Sequence, residues 1–304
     1  LEKAIESYRQ FLAVTPESAM TPEAIRRLAD LKVEREYGLV GGAAERRAGA
    51  RAAMPAPVAE PAVVRAPVTR SEPVAGQRES DEEFEARATV IDPTQIPGAS
   101  LSETEAEQRA NALEAIELYK KLLADYPHYE RNDQVLYQMA RVYEELGEVE
   151  EAMQVMDRMV VQYPRSVYID EVQFRRGEYF FTRQRYLDSE EAYQAVTEAG
   201  AGSAFYELAL YKLGWSLYKQ ELYEEGLHSF IKLLDHRAAA GVDFAHVEND
   251  LERQRIDDTF RVISFSFSYM GGPEAVDDYF DRYGGRAFEE HVYSNLGEHY
   301  LEKR

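Results

Sequence analysis

Four stretches of this chain share one phase. AIELYKKLLADYP begins at Ala115, AMQVMDRMVVQYP at Ala152, SEEAYQAV at Ser189 and GLHSFIKLL at Gly226, in successive steps of 37 residues. AIESYRQFLAVTP, from Ala4, follows the same grammar. A small residue is followed by an aromatic or Met four later and an apolar residue seven later. In the three longer copies a proline comes twelve later, at Pro16, Pro127 and Pro164. A second small residue, Ala140, Gly177 or Gly214, lies twelve residues before three of these starts. The spacing predicts units of two amphipathic helices, A and then B. One such pair cannot bury its apolar faces alone, whereas stacked pairs share a continuous core. The small residues let backbones approach, and the proline ends helix B because it lacks an N–H.

The phase breaks twice. Ala29 sits where the helix A after Ala4 should carry its small residue, but the next helix B arrives at Ala115, 74 residues late. The interruption is rich in Ala, Pro and Arg and has no aromatic residue between Tyr37 and Phe84. Such a composition buries too little apolar surface to offset ordering entropy. Residues 38–104 are therefore expected to be a disordered insertion. Its first part is mildly basic (Arg46, Arg47, Arg51, Arg65, Arg70) and its second acidic (Glu79, Asp81, Glu82, Glu83, Glu85). A neutral tether and a docking segment are both open readings. The second break is an irregular loop expected at 235–246, followed by a long helix A ending at Gly271-Gly272. A short helix B then opens at Pro273, and a further unit begins around Leu296-Gly297. The expected organisation is N-terminal helices at 1–37, the insertion at 38–104, a core array at 105–234 and degenerate repeats at 235–304.

The pattern L-G-x-x-Y, A, aromatic, P resembles the tetratricopeptide repeat. Lys212-Leu213-Gly214-Trp215 and Arg176-Gly177-Glu178-Tyr179-Phe180 carry it best. The phrase YPRSVYIDEVQFRRGEYFFTRQRYLDSEEAY is similar to a bacterial envelope branch, typified by the outer-membrane assembly lipoprotein BamD and the Tol-Pal-associated protein CpoB. The resemblance implies an all-α, right-handed solenoid of stacked helix-turn-helix repeats that binds a protein or peptide segment. It implies a periplasmic or outer-membrane-associated scaffold. The alternatives are a cytosolic scaffold or regulator, or the repeat region of a larger enzyme. The period exceeds the family's usual length of about 34 residues, and Arg176 replaces a usual apolar residue.

In that family, positions 2, 5, 9 and 12 of helix A line a concave groove. Carried over, they assign partner binding to Tyr137 and Arg141 in one repeat and to Phe174, Glu178 and Phe181 in the next. Tyr211, Trp215 and Tyr218 follow in a third. Trp215 and Tyr218 are expected to stand partly exposed as anchors. Packing between repeats is the competing role, above all for Tyr137 and Phe174.

Nothing in the sequence points to catalysis. There is no Cys, none of the six His forms HExxH, and no phosphate-loop or nucleophile-elbow motif occurs. No cofactor and no metal are expected. A net charge of −21 without a basic stripe argues against nucleic acid. No apolar run reaches the roughly 20 residues that a membrane helix needs. The chain opens at Leu1 inside an amphipathic helix and closes at Arg304 inside another, so it reads as a fragment of a longer protein.

Overall fold

In the computed structural model, residues 1–37, 79–90 and 105–303 are described. They form thirteen helices and no strand. The helices are α1 (Glu2–Val14), α2 (Thr21–Tyr37), α3 (Asp81–Ala88), α4 (Glu105–Asp125), α5 (Asn132–Glu145), α6 (Val149–Gln162), α7 (Ile169–Thr182), α8 (Tyr186–Ala199), α9 (Tyr206–Tyr218), α10 (Tyr223–Ala239), α11 (Asp250–Met270), α12 (Pro273–Tyr283) and α13 (Glu289–Glu302). The all-α repeat architecture expected from the phase is the one observed. The chain divides into two compact units between Ala115 and Ile116.

The first unit holds α1, α2, α3 and the start of α4. Ile5 of α1 and Ala24, Ile25, Leu28, Ala29 and Val33 of α2 are buried. Charge is buried here too, and it is paired. Arg26 lies between Glu23 and Asp30, at 2.7 and 2.5 Å. Lys32 Nζ reaches Glu114 at 2.6 Å and holds that carboxyl below its usual range. Helix α3 lies within the stretch read as an insertion. Ser80 accepts from Glu83 N at 3.2 Å while the Glu83 carboxylate takes the Ser80 N–H at 2.8 Å, a reciprocal cap that satisfies two orphan donors. Phe84 and Ala88 bury their side chains. The rest of the 38–104 expectation lies outside the described residues.

The second unit runs from the C-terminal part of α4 to α13. Three successive A–B turns are built alike. Gly147, Gln184 and Glu221 have φ of 74°, 58° and 62°. After each, an N–H reaches back five residues: Glu148 to Tyr143, Arg185 to Phe180, and Leu222 to Leu217, at 2.9, 2.9 and 3.0 Å. This is a Schellman-like closure, which usually employs Gly; here the family of turns tolerates Gln and Glu at a conformational cost.

Within each pair the two helices meet at the small residue. A Cβ built at Gly177 would stand 2.4 Å from the Tyr193 ring, and one at Gly214 would stand 2.6 Å from the Phe230 ring. A Cβ at Gly226 would meet the Gly214 carbonyl at 3.1 Å. The expected loop at 235–246 starts later, because α10 continues to Ala239 through the helix-favouring Arg237-Ala238-Ala239. Helix α11 is capped by Asn249, which accepts from Glu252 N at 3.0 Å, and ends at Gly271 with φ 121°.

Candidate interaction surface

The aromatic residues at position 5 of each helix A do not stand free. Tyr137 stacks on Tyr168, the residue that opens the next helix A, with centroids 4.3 Å apart. Phe174 meets Phe205 in the equivalent place, at 5.1 Å, and Tyr193 at 5.7 Å. Tyr168 and Phe205 are 37 residues apart, and so are Ser166 and Ser203, whose hydroxyls accept from their backbone N–H groups at 3.3 and 3.2 Å. A repeated Ser-x-aromatic turn therefore lays a ring over the aromatic of the preceding repeat.

Two polar networks lie along the same helix faces. The Tyr137 hydroxyl donates to Glu171 Oε2 at 2.9 Å. Arg175 bridges Glu171 and Glu144, both at 2.8 Å. The Arg141 guanidinium sits 5.6 Å from the Tyr137 ring centroid. Burial pushes the Glu144 carboxyl up against the opposing pull of Arg175. In the next repeat Lys212, almost wholly buried, pairs with Glu178 at 3.0 Å and lies 4.6 Å from the Phe181 ring centroid. Tyr193 also donates to Glu178. Burial pulls the Lys212 ammonium down, with Glu178 opposing. These groups neutralise one another and knit repeats together.

The assigned groove residues therefore need correction as free anchors. Tyr137, Arg141, Phe174, Phe181, Trp215 and Tyr218 are buried. Trp215 has an exposure of 0% and is packed edge-on against Tyr211, Tyr218 and Phe230. Only Glu178 and Tyr211 of the eight are partly exposed. The physical reason is the length of these side chains: position 5 is roofed by the next repeat, and Trp215 fills the space beside Gly214.

Aromatic surface emerges elsewhere. Tyr223, opening α10, stacks on Tyr269 at the end of α11, with centroids 5.0 Å apart and planes at 14°. Tyr218 backs both rings, at 5.4 and 6.3 Å. Tyr269 is 58% exposed, and Leu222 beside Tyr223 is exposed as well. The carry-over of groove positions missed this pair because neither ring occupies one; the signal was an aromatic residue one place before Met270-Gly271-Gly272, where a helix is about to end.

No group of three or more His, Asp or Glu side chains among the described residues could hold a metal ion. No described helix is long and apolar enough to cross a membrane.

Helix pairs in a 37-residue phase, closed by one recurring turn and meeting at small residues, make an α-helical repeat array. Residues 107–171 match the family model described as tetratricopeptide repeat. Among solved structures, the chain is similar to MamA 41-end from Desulfovibrio magneticus RS-1, with 19% identity, 58% of this chain and 85% of that one covered, and a TM-score of 0.38. A crystal structure of MamA gives 16% identity, coverage of 66% and 90%, and a TM-score of 0.40. A kinesin light chain from Podospora anserina with nearly identical TPR-like repeats gives 12%, 64% and 90%, and 0.39. No curated protein matches the chain.

Proposed function

We propose that this chain is a non-catalytic scaffold whose stacked Tyr223–Tyr269 pair, half-buried at Tyr223, exposed at Tyr269 and backed by Tyr218 and Trp215, takes a segment of a partner protein. The observation that carries the reading is the stacked pair itself, whose Tyr269 ring is 58% exposed beside the exposed Leu222. Rigid rings offer large contact area at little entropic cost, which is why aromatics dominate binding hot spots. The partner we favour lies in a bacterial envelope complex, periplasmic or outer-membrane-associated. The support for this location is the YPRSVYIDEVQF…EEAY phrase and its likeness to the BamD and CpoB branch.

Two experiments test the reading. Tyr223→Ala with Tyr269→Ala should leave the urea midpoint close to that of the parent and weaken capture of the native partner at least tenfold, about 1.4 kcal/mol. Capture at full strength by the folded variant overturns the assignment of this surface. Fractionation of the native host should place the full-length protein in the periplasmic or outer-membrane fraction, and a purely cytosolic protein overturns the envelope assignment.

A further inference from the structure

The stack of Tyr223 on Tyr269 joins two turns, the one between α9 and α10 and the one between α11 and α12. Both lie in acidic sequence. From Gln220 to Ile231 there are three glutamates and no Lys or Arg, and from Val262 to Asp281 there are four carboxylates and no Lys or Arg. Some of these acids are occupied. Glu224 takes Arg282 at 3.0 Å and the Tyr283 hydroxyl at 2.7 Å, and Asp277 takes the Tyr293 hydroxyl. Glu221, Glu225 and Glu274 are exposed, and no described cation pairs with them. Lys219, the basic residue of the first turn, lies over Trp215, 6.0 Å from a ring centroid.

Glu221 carries the argument further. Its φ of 62° lies in the left-handed region, where a side chain is unfavourable. The equivalent turn after α5 places Gly147 there, and glycine removes the strain. The Glu221 N–H donates to the Tyr218 carbonyl at 2.9 Å, which ties it to the residue whose ring backs both members of the stack. Its carboxylate makes no ion pair with any described residue, so the strain is not offset by a contact of that side chain. Backbone strain of this kind gathers at ligand-binding positions.

We propose that the partner segment is basic: an arginine lies on the exposed face of the Tyr269 ring, and further Lys or Arg stand beside Glu221 and Glu274. This rests on the Tyr223–Tyr269 surface being the binding site. A guanidinium stacks flat on an aromatic face while its edge pairs with carboxylates. Two acidic turns repel an acidic segment and draw in a basic one.

The probe is a labelled octapeptide of alternating Gly and Arg. Its control is the same peptide with citrulline, which keeps the planar side chain and loses the charge. Anisotropy titrations on the 304-residue chain should show the arginine peptide binding about tenfold more tightly or better, with affinity falling as salt rises. Tyr269→Ala and Glu221→Gly should each weaken it about threefold to fivefold. Glu198→Gln, which removes a carboxylate from α8, should not. Glu221→Gly also relieves the positive φ, so its urea midpoint should stay at or above the parent's, and its loss of binding cannot come from unfolding. Arginine and citrulline peptides that bind alike overturn the basic class and leave the platform standing on capture of the native partner. Full capture of that partner by the folded Tyr223→Ala/Tyr269→Ala variant removes the platform, and the inference with it. An arginine peptide that binds the Tyr269→Ala and Glu221→Gly chains as tightly as the parent is drawn by the net charge of −21 alone, and that outcome overturns the inference too.

Discussion

At the scale of residues, Lys212 and Glu178 are bound to each other but not equally enclosed. The lysine side chain is 1% exposed and the glutamate 21%. Removing the lysine leaves a carboxylate that still accepts from Tyr193 and can reach water. Removing the carboxylate strands an ammonium among rings, and an uncompensated buried charge is the costly case. Glu178→Gln should therefore cost about 3 kcal/mol and Lys212→Met about 1 kcal/mol or less, read from urea midpoints. Equal losses would show that the pair is solvated as a unit. Glu144 gives a pH test. Its folded-state carboxyl is held above the unfolded value, so the native state binds the extra proton and loses stability as pH rises from about 4.5 through the raised value. Glu144→Gln lacks this loss and keeps an acceptor for Arg175. Relative to the parent it should gain across the window in which pH rises from about 4.5 through that raised value. A constant difference across that window would rule out Glu144 as the titrating group. The aromatic residues were legible as a class but not as a location. The sequence marked Trp215 and Tyr218 as large rings on a helix A, while their exposure depends on what the neighbouring helices lay over them. Part of that answer was readable: Tyr168 and Phe205 keep the 37-residue phase, and a ring repeating in phase at a helix start is a roof for the ring before it.

At the scale of elements, glycines in one sequence pattern have opposite roles. Gly214→Leu forces a side chain into the Phe230 ring and should cost about 1–3 kcal/mol or more despite better helix propensity. Gly297→Ala meets nothing within 4 Å and should gain about 0.5–1 kcal/mol. Gly147→Ala also meets nothing, but its φ of 74° makes any Cβ unfavourable, so a loss of about 1 kcal/mol is expected. The three midpoints separate packing, propensity and backbone strain; a stable Gly214→Leu would mean that α9 and α10 do not meet there. Helix positions themselves were legible because the small residue, the ring and the proline recur at fixed offsets. Helix α3 was not read, since composition was weighed over 38–104 as a whole. Its local signal was present in Ser80-Asp81-Glu82-Glu83, a cap sequence whose Ser80 lies four residues before the buried Phe84 and eight before Ala88.

At the scale of the whole molecule, the long interruption between Tyr37 and Glu105 holds one described helix, α3. Reading 38–104 as a tether implies that its length matters only logarithmically, because loop closure adds about 0.6 kcal/mol for each doubling. The capped helix within it implies the opposite for residues 79–90, where Phe84 is fully buried and Arg87 lies 5.6 Å from its ring centroid while pairing with Glu79 at 2.7 Å. The two halves can be separated by deletion. Replacing residues 42–78 with a short Gly/Ser linker should change the stability of the first unit by about 1–2 kcal/mol at most. Extending the deletion through Ala88 removes a buried phenylalanine as well, and losses of that kind run to about 3–5 kcal/mol. Phe84→Ala in the undeleted chain should reproduce most of that extra loss, since the ring and not the connection is responsible. Urea unfolding of the three variants decides the matter. If the longer deletion is no worse than the shorter, and Phe84→Ala melts with the parent, α3 contributes nothing to the first unit and the whole of 38–104 behaves as its composition implies.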